Sequence, residues 1–562
     1  MLRNYFKLIF FCCGVSLWHV SYAAPDAGSL QQQMERERQS VMPNLFPSEK
    51  EKGASPEKPL SGKSFIVREF LFEGNTLLSS EQLSAALLPC IGKPVDFERL
   101  KACSALVTEA YEAVGRVAKA VIPPQDIIDN KVKIIVIEAH FGEVVIIGDH
   151  AKRISDKQFL GIFKAHQEAG KPVNMFELDR AMLLADDIAG VHVSGDLDQG
   201  SQEGLTNLVL KLVDEPFIAG NASVDNQGSI QTGFNRANGS LNLNSPSRIG
   251  DLLSFNTMVS EGNRYLRIEE TFPIGFSGLR VGMNTSVLNY KLIGADYSSL
   301  GANGTAKTIG ISATLPIIRS RPKNLNLSLN LDNKYYFNQT NLSTTSDYVI
   351  HSVSLGLNGN LFDEVGGGGA NMASLTWTMG DVDLSGSNNQ QSDALTSKTQ
   401  GHYSKVRYSM SRQQKLSSDW SFYANVSGQW TERNLDSSEC FYLGGYTGVR
   451  AYPSNEGRGS QGLMVNTELR SQLGNGFAWA GFFDWGRVIV YQNNNFTGSA
   501  SPNEFSLKGY GTALTWQTTK GSTIKATWSR RMGSNPNPGI TGSDQDGTLK
   551  LHRVWLSASY AF

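Results

Sequence analysis

From Pro216 to the terminal Phe562, a stretch of 347 residues, no segment keeps a helical period, and apolar residues recur at every second position. Leu325, Leu327, Leu329 and Leu331 alternate with Asn326, Ser328, Asn330 and Asp332. Ile524, Ala526 and Trp528 alternate with Lys525, Thr527 and Ser529. The last segment sets Val554, Leu556, Ala558, Tyr560 and Phe562 on one face. A soluble sandwich can alternate in the same way. Segments of about ten residues, turn-rich connections of uneven length and a strand ending on Phe562 favour a transmembrane β-barrel. We count about sixteen segments between Phe217 and Phe562, an even number as a single-chain barrel requires. Closure pairs every backbone group in lipid, which an open sheet does not.

Composition removes two other classes. A net charge of −1 gives no basic face for nucleic acid. Past the leader, no segment offers the ~20 consecutive apolar residues of a transmembrane helix. The leader itself, residues 1–23, has the layout of a secretory signal: Arg3 and Lys7, an apolar core Leu8–Val20, then Ser21-Tyr22-Ala23. Cleavage there leaves three of the five cysteines. Cys90 and Cys103 would close a short loop, and an oxidising compartment favours a bridge over two free thiols. Cys440 is left over, with no basic neighbour in sequence to activate it.

The rest of the chain divides by composition. Residues 24–42 contain SLQQQMERERQSVM (Ser29–Met42), good helix formers without a continuous apolar face, and predict a short detachable helix for polar surroundings. Residues 43–63, with Pro43, Pro47, Pro56 and Pro59, read as an extended linker. A mixed α+β pattern then occurs twice, over 64–140 and 141–215, before the barrel of 216–562. In the first copy we expect a strand Phe65–Phe72, helices over Glu81–Leu88 and Glu98–Ala113, and a strand Lys131–Glu138. In the second we expect a strand Gly142–Ile147, helices near Asp156–Ala165 and Met175–Ile188, and strands Val191–Leu197 and Asn207–Val213.

Several motifs sit in this order: Phe72-Glu73-Gly74-Asn75-Thr76, Pro89-Cys90-Ile91-Gly92, Pro123-Pro124-Gln125-Asp126, Pro172-Val173-Asn174, Leu178-Asp179-Arg180-Ala181, Gly190-Val191 and Phe272-Pro273-Ile274-Gly275. Late in the barrel come GYTGVRAYP (Gly445–Pro453) and GFFDWG (Gly481–Gly486). Together they resemble the TpsB transporters of two-partner secretion, the ShlB/FhaC/HecB haemolysin activation and secretion family. The resemblance implies two periplasmic POTRA modules before a sixteen-stranded outer-membrane barrel. It makes Val449, Arg450, Ala451 and Tyr452 the tip of a sixth outer loop, and Phe483, Asp484 and Gly486 the strand motif that anchors it in the lumen. It also implies a TpsA-type client (haemolysin, adhesin or toxin) received by the POTRA modules, contact with outer-membrane lipids, and recognition of the strand ending at Phe562 by barrel-assembly machinery. Two positions depart from the pattern. Ala451 stands where the family has glycine, which is costly if the backbone there needs a positive φ. Gly115-Arg116-Val117-Ala118-Lys119-Ala120 replaces the usual aromatic and hydroxyl residues of the first module.

Nothing suggests an enzyme, a cofactor or a metal. Ser61-Gly62-Lys63-Ser64 imitates the end of a phosphate loop, but Glu57 stands where a glycine is required. Asp544-Gln545-Asp546-Gly547 faintly resembles a calcium loop, yet Gly542 and Arg553 occupy ligand positions, and we read it as a solvated turn. The eight histidines form no metal spacing, and no GxSxG nucleophile elbow occurs. Two alternatives to a secretion pore are an outer-membrane assembly factor and a diffusion porin.

Overall fold

A computed structural model describes residues 25–39, 64–148, 150–202, 204–294, 298–539 and 542–562. The expected signal and linker lie outside these residues. The first described element is a helix, α1 (Ala27–Gln39), and residues 24 and 40–42 of the expected helical segment are likewise outside.

The first module builds one sheet from Glu69–Glu73, Ala118–Val121 and Lys131–Glu138, with Lys131–Glu138 in the middle. Two helices, α2 (Ser80–Ala86) and α3 (Phe97–Ala113), cover it. KVKIIVIE explains the packing: Val132, Ile134, Val136 and Glu138 are buried on alternate positions, and α3 meets them with Leu100, Val107 and Tyr111. Ser79 and Gln82 form a reciprocal capping box at the start of α2, and Asp96 caps α3. The expected strand Phe65–Phe72 is in fact two. Phe65–Ile66 pairs with Pro94–Val95, and Glu69–Glu73 joins the main sheet. The backbone changes partner at Val67, whose carbonyl accepts from Gly92, and at Arg68, whose N–H donates to Asn130. Ala118–Val121, unexpected from sequence, supplies the antiparallel edge. Cys90 and Cys103 are bonded, tying the turn Leu88–Cys90 to α3.

The second module repeats the plan. His140–Ile147 runs parallel to the central Leu205–Asp214, Val191–Gln199 runs antiparallel on its other side, and α4 (Asp156–His166) and α5 (Met175–Asp186) bury Phe159, Phe163, Leu178 and Ala181. The modules join tightly. The Gly115 carbonyl accepts from the Met175 N–H, and a Cβ on Gly115, which has φ +69°, would lie 2.5 Å from the Phe176 ring.

Sixteen of the remaining strands close into one antiparallel barrel, and two short ones, Phe441–Tyr442 and Arg458–Gly459, pair apart from it. The expected alternation is realised: Leu329, Leu331, Leu355 and Leu357 point outward and pair in rows across neighbouring strands. The closing strand, His552–Ala561, meets the first, Ile218–Asp225, over only five residue pairs, Ser557↔Asp225 to Ala561↔Asn221. Phe562 completes that seam by exchanging backbone hydrogen bonds with Gly220.

Candidate functional site

Residues 432–460 connect the eleventh and twelfth barrel strands, Trp420–Thr431 and Gln461–Gly474. Since the first strand starts at the POTRA end, this is the sixth loop of the opposite end, and it folds inward. A two-residue ladder of Phe441–Tyr442 with Arg458–Gly459 holds its base. Leu443, Val449, Ala451 and Tyr452 then pack on Met464, Val488, Phe505 and Leu507 of the inner wall. The small residue at Gly486 makes this fit: a Cβ there would lie 2.5 Å from Leu443 Cδ2.

At the tip, Arg450 is held from every side. Its Nε and Nη2 donate to Asp484 Oδ2 and Oδ1 at 2.9 and 2.7 Å, and its backbone N–H donates to Oδ2 at 3.1 Å. Nη1 donates to Glu468 Oε1 at 2.6 Å, and the guanidinium lies 3.5 Å from the Phe482 ring centroid. Asp484 is fully buried and also accepts from Asn466 Nδ2. The Arg450 carbonyl accepts from Ser529 Oγ and Trp555 Nε1, both at 2.8 Å, which links the tip to the last two strands. The planar fork thus meets one carboxylate bidentately and a second end-on, away from bulk water.

Sequence reasoning placed one residue wrongly. Phe483 faces outward at 39% exposure, because strand side chains alternate and Asp484 faces in. Phe482, Asp484 and Gly486 share the inner face, so Phe482 is the aromatic partner. Period two alone could have found it. The same rule could have found Asn466 and Glu468, which lie two residues apart on the neighbouring strand, Asn466 directly opposite Asp484. Ala451 lies outside the left-handed region, so the cost attached to a positive φ does not arise. Its methyl fills space left by Gly509, where a Cβ would come within 2.4 Å.

Within the barrel, α1 lies against the inner wall and this loop. Its N–H at Ala27 donates to Asn338, Gln31 to Thr308, and Asp26 accepts from Ser437 of the loop. Arg36 donates to the carbonyls of Tyr442 and Gly444 at 2.8 and 3.1 Å. Glu37 pairs with Arg236 at 2.7 Å, and Arg236 also holds Asp225 of the first strand. A helix polar almost all round is stable here because the wall and the sixth loop between them supply partners for its charged groups.

The Asp544–Gly547 turn is not solvated as expected. Asp544 is buried in an ion pair with Arg531, and Arg553 donates to Asp546 at 2.9 Å. Two strand arginines point into the lumen, and the turn supplies their counter-charge. Glu456 of the sixth loop accepts from Gln545 and Asn535 beside them. Cys440 is buried, and Arg407, distant in sequence, donates to its carbonyl. Among the described residues no group of three or more His, Cys, Asp or Glu is arranged to hold a metal.

A model of the haemolysin secretion/activation protein ShlB/FhaC/HecB matches residues 204–512, more than half of the chain. The chain belongs to this family. A POTRA domain of the ShlB type matches residues 65–139. The heme/hemopexin transporter protein HuxB of Haemophilus influenzae is 26% identical, covering 96% of this chain and 95% of HuxB. The outer membrane transporter CdiB of Escherichia coli is 22% identical over 73% of this chain and 70% of its own. Among solved structures, CdiB from Escherichia coli superposes with a TM-score of 0.68 at 18% identity, covering 96% of this chain and all of that one. Membership of the ShlB/FhaC/HecB family makes the protein an outer-membrane transporter of two-partner secretion, with its POTRA modules in the periplasm.

Proposed function

We propose that α1 is the plug of this transporter and that the Arg450–Asp484 anchor sets the depth of the sixth loop in the pore. The observation that carries this reading is the double attachment of α1: Glu37 to the wall through Arg236, and Arg36 to the loop through Tyr442 and Gly444. Passage of a client needs both sets of bonds released together. An unfolded TpsA-type exoprotein is received by the POTRA modules through strand addition, since each three-stranded sheet ends in edge strands, Glu69–Glu73 and Ala118–Val121 in one, His140–Ile147 and Val191–Gln199 in the other. Backbone pairing makes little demand on client sequence. Direction comes from folding of the client outside, since the periplasm holds no ATP. Similarity along nearly the whole of HuxB makes a heme/hemopexin-type cargo the client to test first. The closing strand with its terminal Phe562 is the segment offered to barrel-assembly machinery. No part of this reading requires catalysis.

The test is secretion together with conductance. Deleting residues 27–39 should raise single-channel conductance in planar bilayers. Deleting the gene should remove one large exoprotein from the medium and leave other outer-membrane barrels intact. Unchanged conductance would sink the plug, and a broad fall in outer-membrane barrels would make the protein an assembler.

A further inference from the structure

A groove of about 960 Å³ crosses the outer, lipid-facing surface of the barrel over strands six to ten, counted from Ile218–Asp225. Its floor is the backbone at Gly310, Asp332, Ser352, Gly380 and Tyr403, which face one another in register across the five strands. The row on its POTRA side is apolar for four of its five members: Ile311, Leu331, Val353 and Met379, then Ser404. On the far side the register places Ile309, Asn333, His351, Asp381 and His402. Surface chemistry therefore changes from hydrocarbon to hydrogen-bonding groups across a single step of the pleat. Trp430, 51% exposed, with Glu432 and Arg433, closes one end. Such a step on a lipid-facing wall marks the headgroup boundary, and a tryptophan there sits as interfacial aromatics do.

We propose that this groove is a binding site for one phosphorylated glycolipid of the outer leaflet, of the lipid A type. Three observations choose the occupant. The polar row lies on the side away from the POTRA modules, hence in the outer leaflet, where such glycolipids reside. The apolar row and floor form a concave bed for an acyl chain, where convex strands would only be wetted by the bulk lipid. The rim offers His351, Arg433 and, one outward position above Ile309, Lys307 lying over the Tyr335 ring. Asp381 is already paired with His402 at 2.9 Å, and Asp383 beside His351 and Glu432 next to Arg433 set acids among these bases. Bases set among hydrogen-bonding groups suit a head that carries both phosphates and sugar hydroxyls.

The experiment is native mass spectrometry of the full chain, delipidated in detergent and titrated with phosphorylated lipid A, dephosphorylated lipid A or phosphatidylglycerol. The wild type should retain one copy of phosphorylated lipid A in preference to the other two. Val353→Trp, which fills the bed, should abolish retention, while Leu469→Trp, an outward position opposite Phe422 near the POTRA end of the twelfth strand, should not. The double variant His351→Ala/Arg433→Ala alters only the rim and should weaken binding by about tenfold, as loss of charge-assisted bonds at a partly wet site implies. It keeps the test decisive if Val353→Trp fails to show the heat-modifiable mobility of a folded barrel. Equal retention of all three lipids would reduce the groove to ordinary annular contact. Wild-type affinity in the rim variant, or equal loss in Leu469→Trp, would likewise overturn the assignment.

Discussion

Arg450 joins the sixth loop to Asp484, Glu468 and Phe482 of the inner wall, and these partners are unequal in what they lose without it. Removing its side chain leaves Asp484 fully buried with no cation, and only Asn466 and the backbone N–H of residue 450 to answer its charge. Breaking one side of a buried pair costs about 3–5 kcal/mol. Arg450→Ala should therefore release the loop tip, measured as new protease cleavage within 432–460 and a fall in exoprotein secretion. Arg450→Lys should rescue little, because one ammonium cannot serve Asp484 bidentately and Glu468 together. Phe482→Ala should loosen the tip by about 0.5–2 kcal/mol through loss of its cation–π contact, whereas Phe483→Ala, outward in the bilayer, should leave secretion near normal. Swapped outcomes would mean that the strand register is wrong by one. At this scale the motifs identified Arg450 and Asp484, but not the contacts fixed by pleat parity or by distant strands, such as Trp555 and Ser529 on the Arg450 carbonyl. No local signal marks a partner 105 residues away.

Elements in the POTRA modules owe their order to a few polar knots as well as to apolar cores. In the first module Glu138, on the central strand, accepts from Thr76 Oγ1, from the Thr76 and Leu77 N–H groups and from the Tyr111 hydroxyl. Burial favours its protonated form, but these bonds outweigh burial and hold the carboxyl below the ordinary glutamate value. Burial and the same carboxylate push Tyr111 upward. The sign follows: a depressed carboxyl adds stability above its unfolded pKa, and that stability drains away as pH falls through the folded value. Urea midpoints of the POTRA modules in the full chain should thus fall on acidification below the ordinary glutamate range, and Glu138→Gln should flatten that slope. Reduction of Cys90–Cys103 should cost the same module about 3 kcal/mol, the loop-closure value for a short ring. The helices and the strand KVKIIVIE were legible because their periods are strong. The split at Val67–Arg68 and the edge Ala118–Val121 were not, since both depend on which strand lies alongside.

The whole molecule reads as a wide polar pore filled by its own chain. The length and alternation of residues 216–562 made the barrel and its sixteen strands legible, and the order of the motifs made the family legible. The position of α1 was not, because a polar helix without an apolar face carries no record of which wall will satisfy it. Its bonds run to strands far apart in sequence, Arg236, Thr308 and Asn338, as well as to the loop. The central claim is that this helix must leave the lumen before a client can pass. The most direct measurement pairs Gln31→Cys with Thr308→Cys, positions whose native side chains hydrogen-bond, joins the two thiols through a bis-methanethiosulfonate spacer that replaces the lost length of the glutamine, and follows exoprotein secretion with the pair so oxidised and then reduced. We predict that secretion stops in the oxidised state and returns on reduction, with each single variant unaffected. Undiminished secretion through a fully cross-linked barrel would contradict the account.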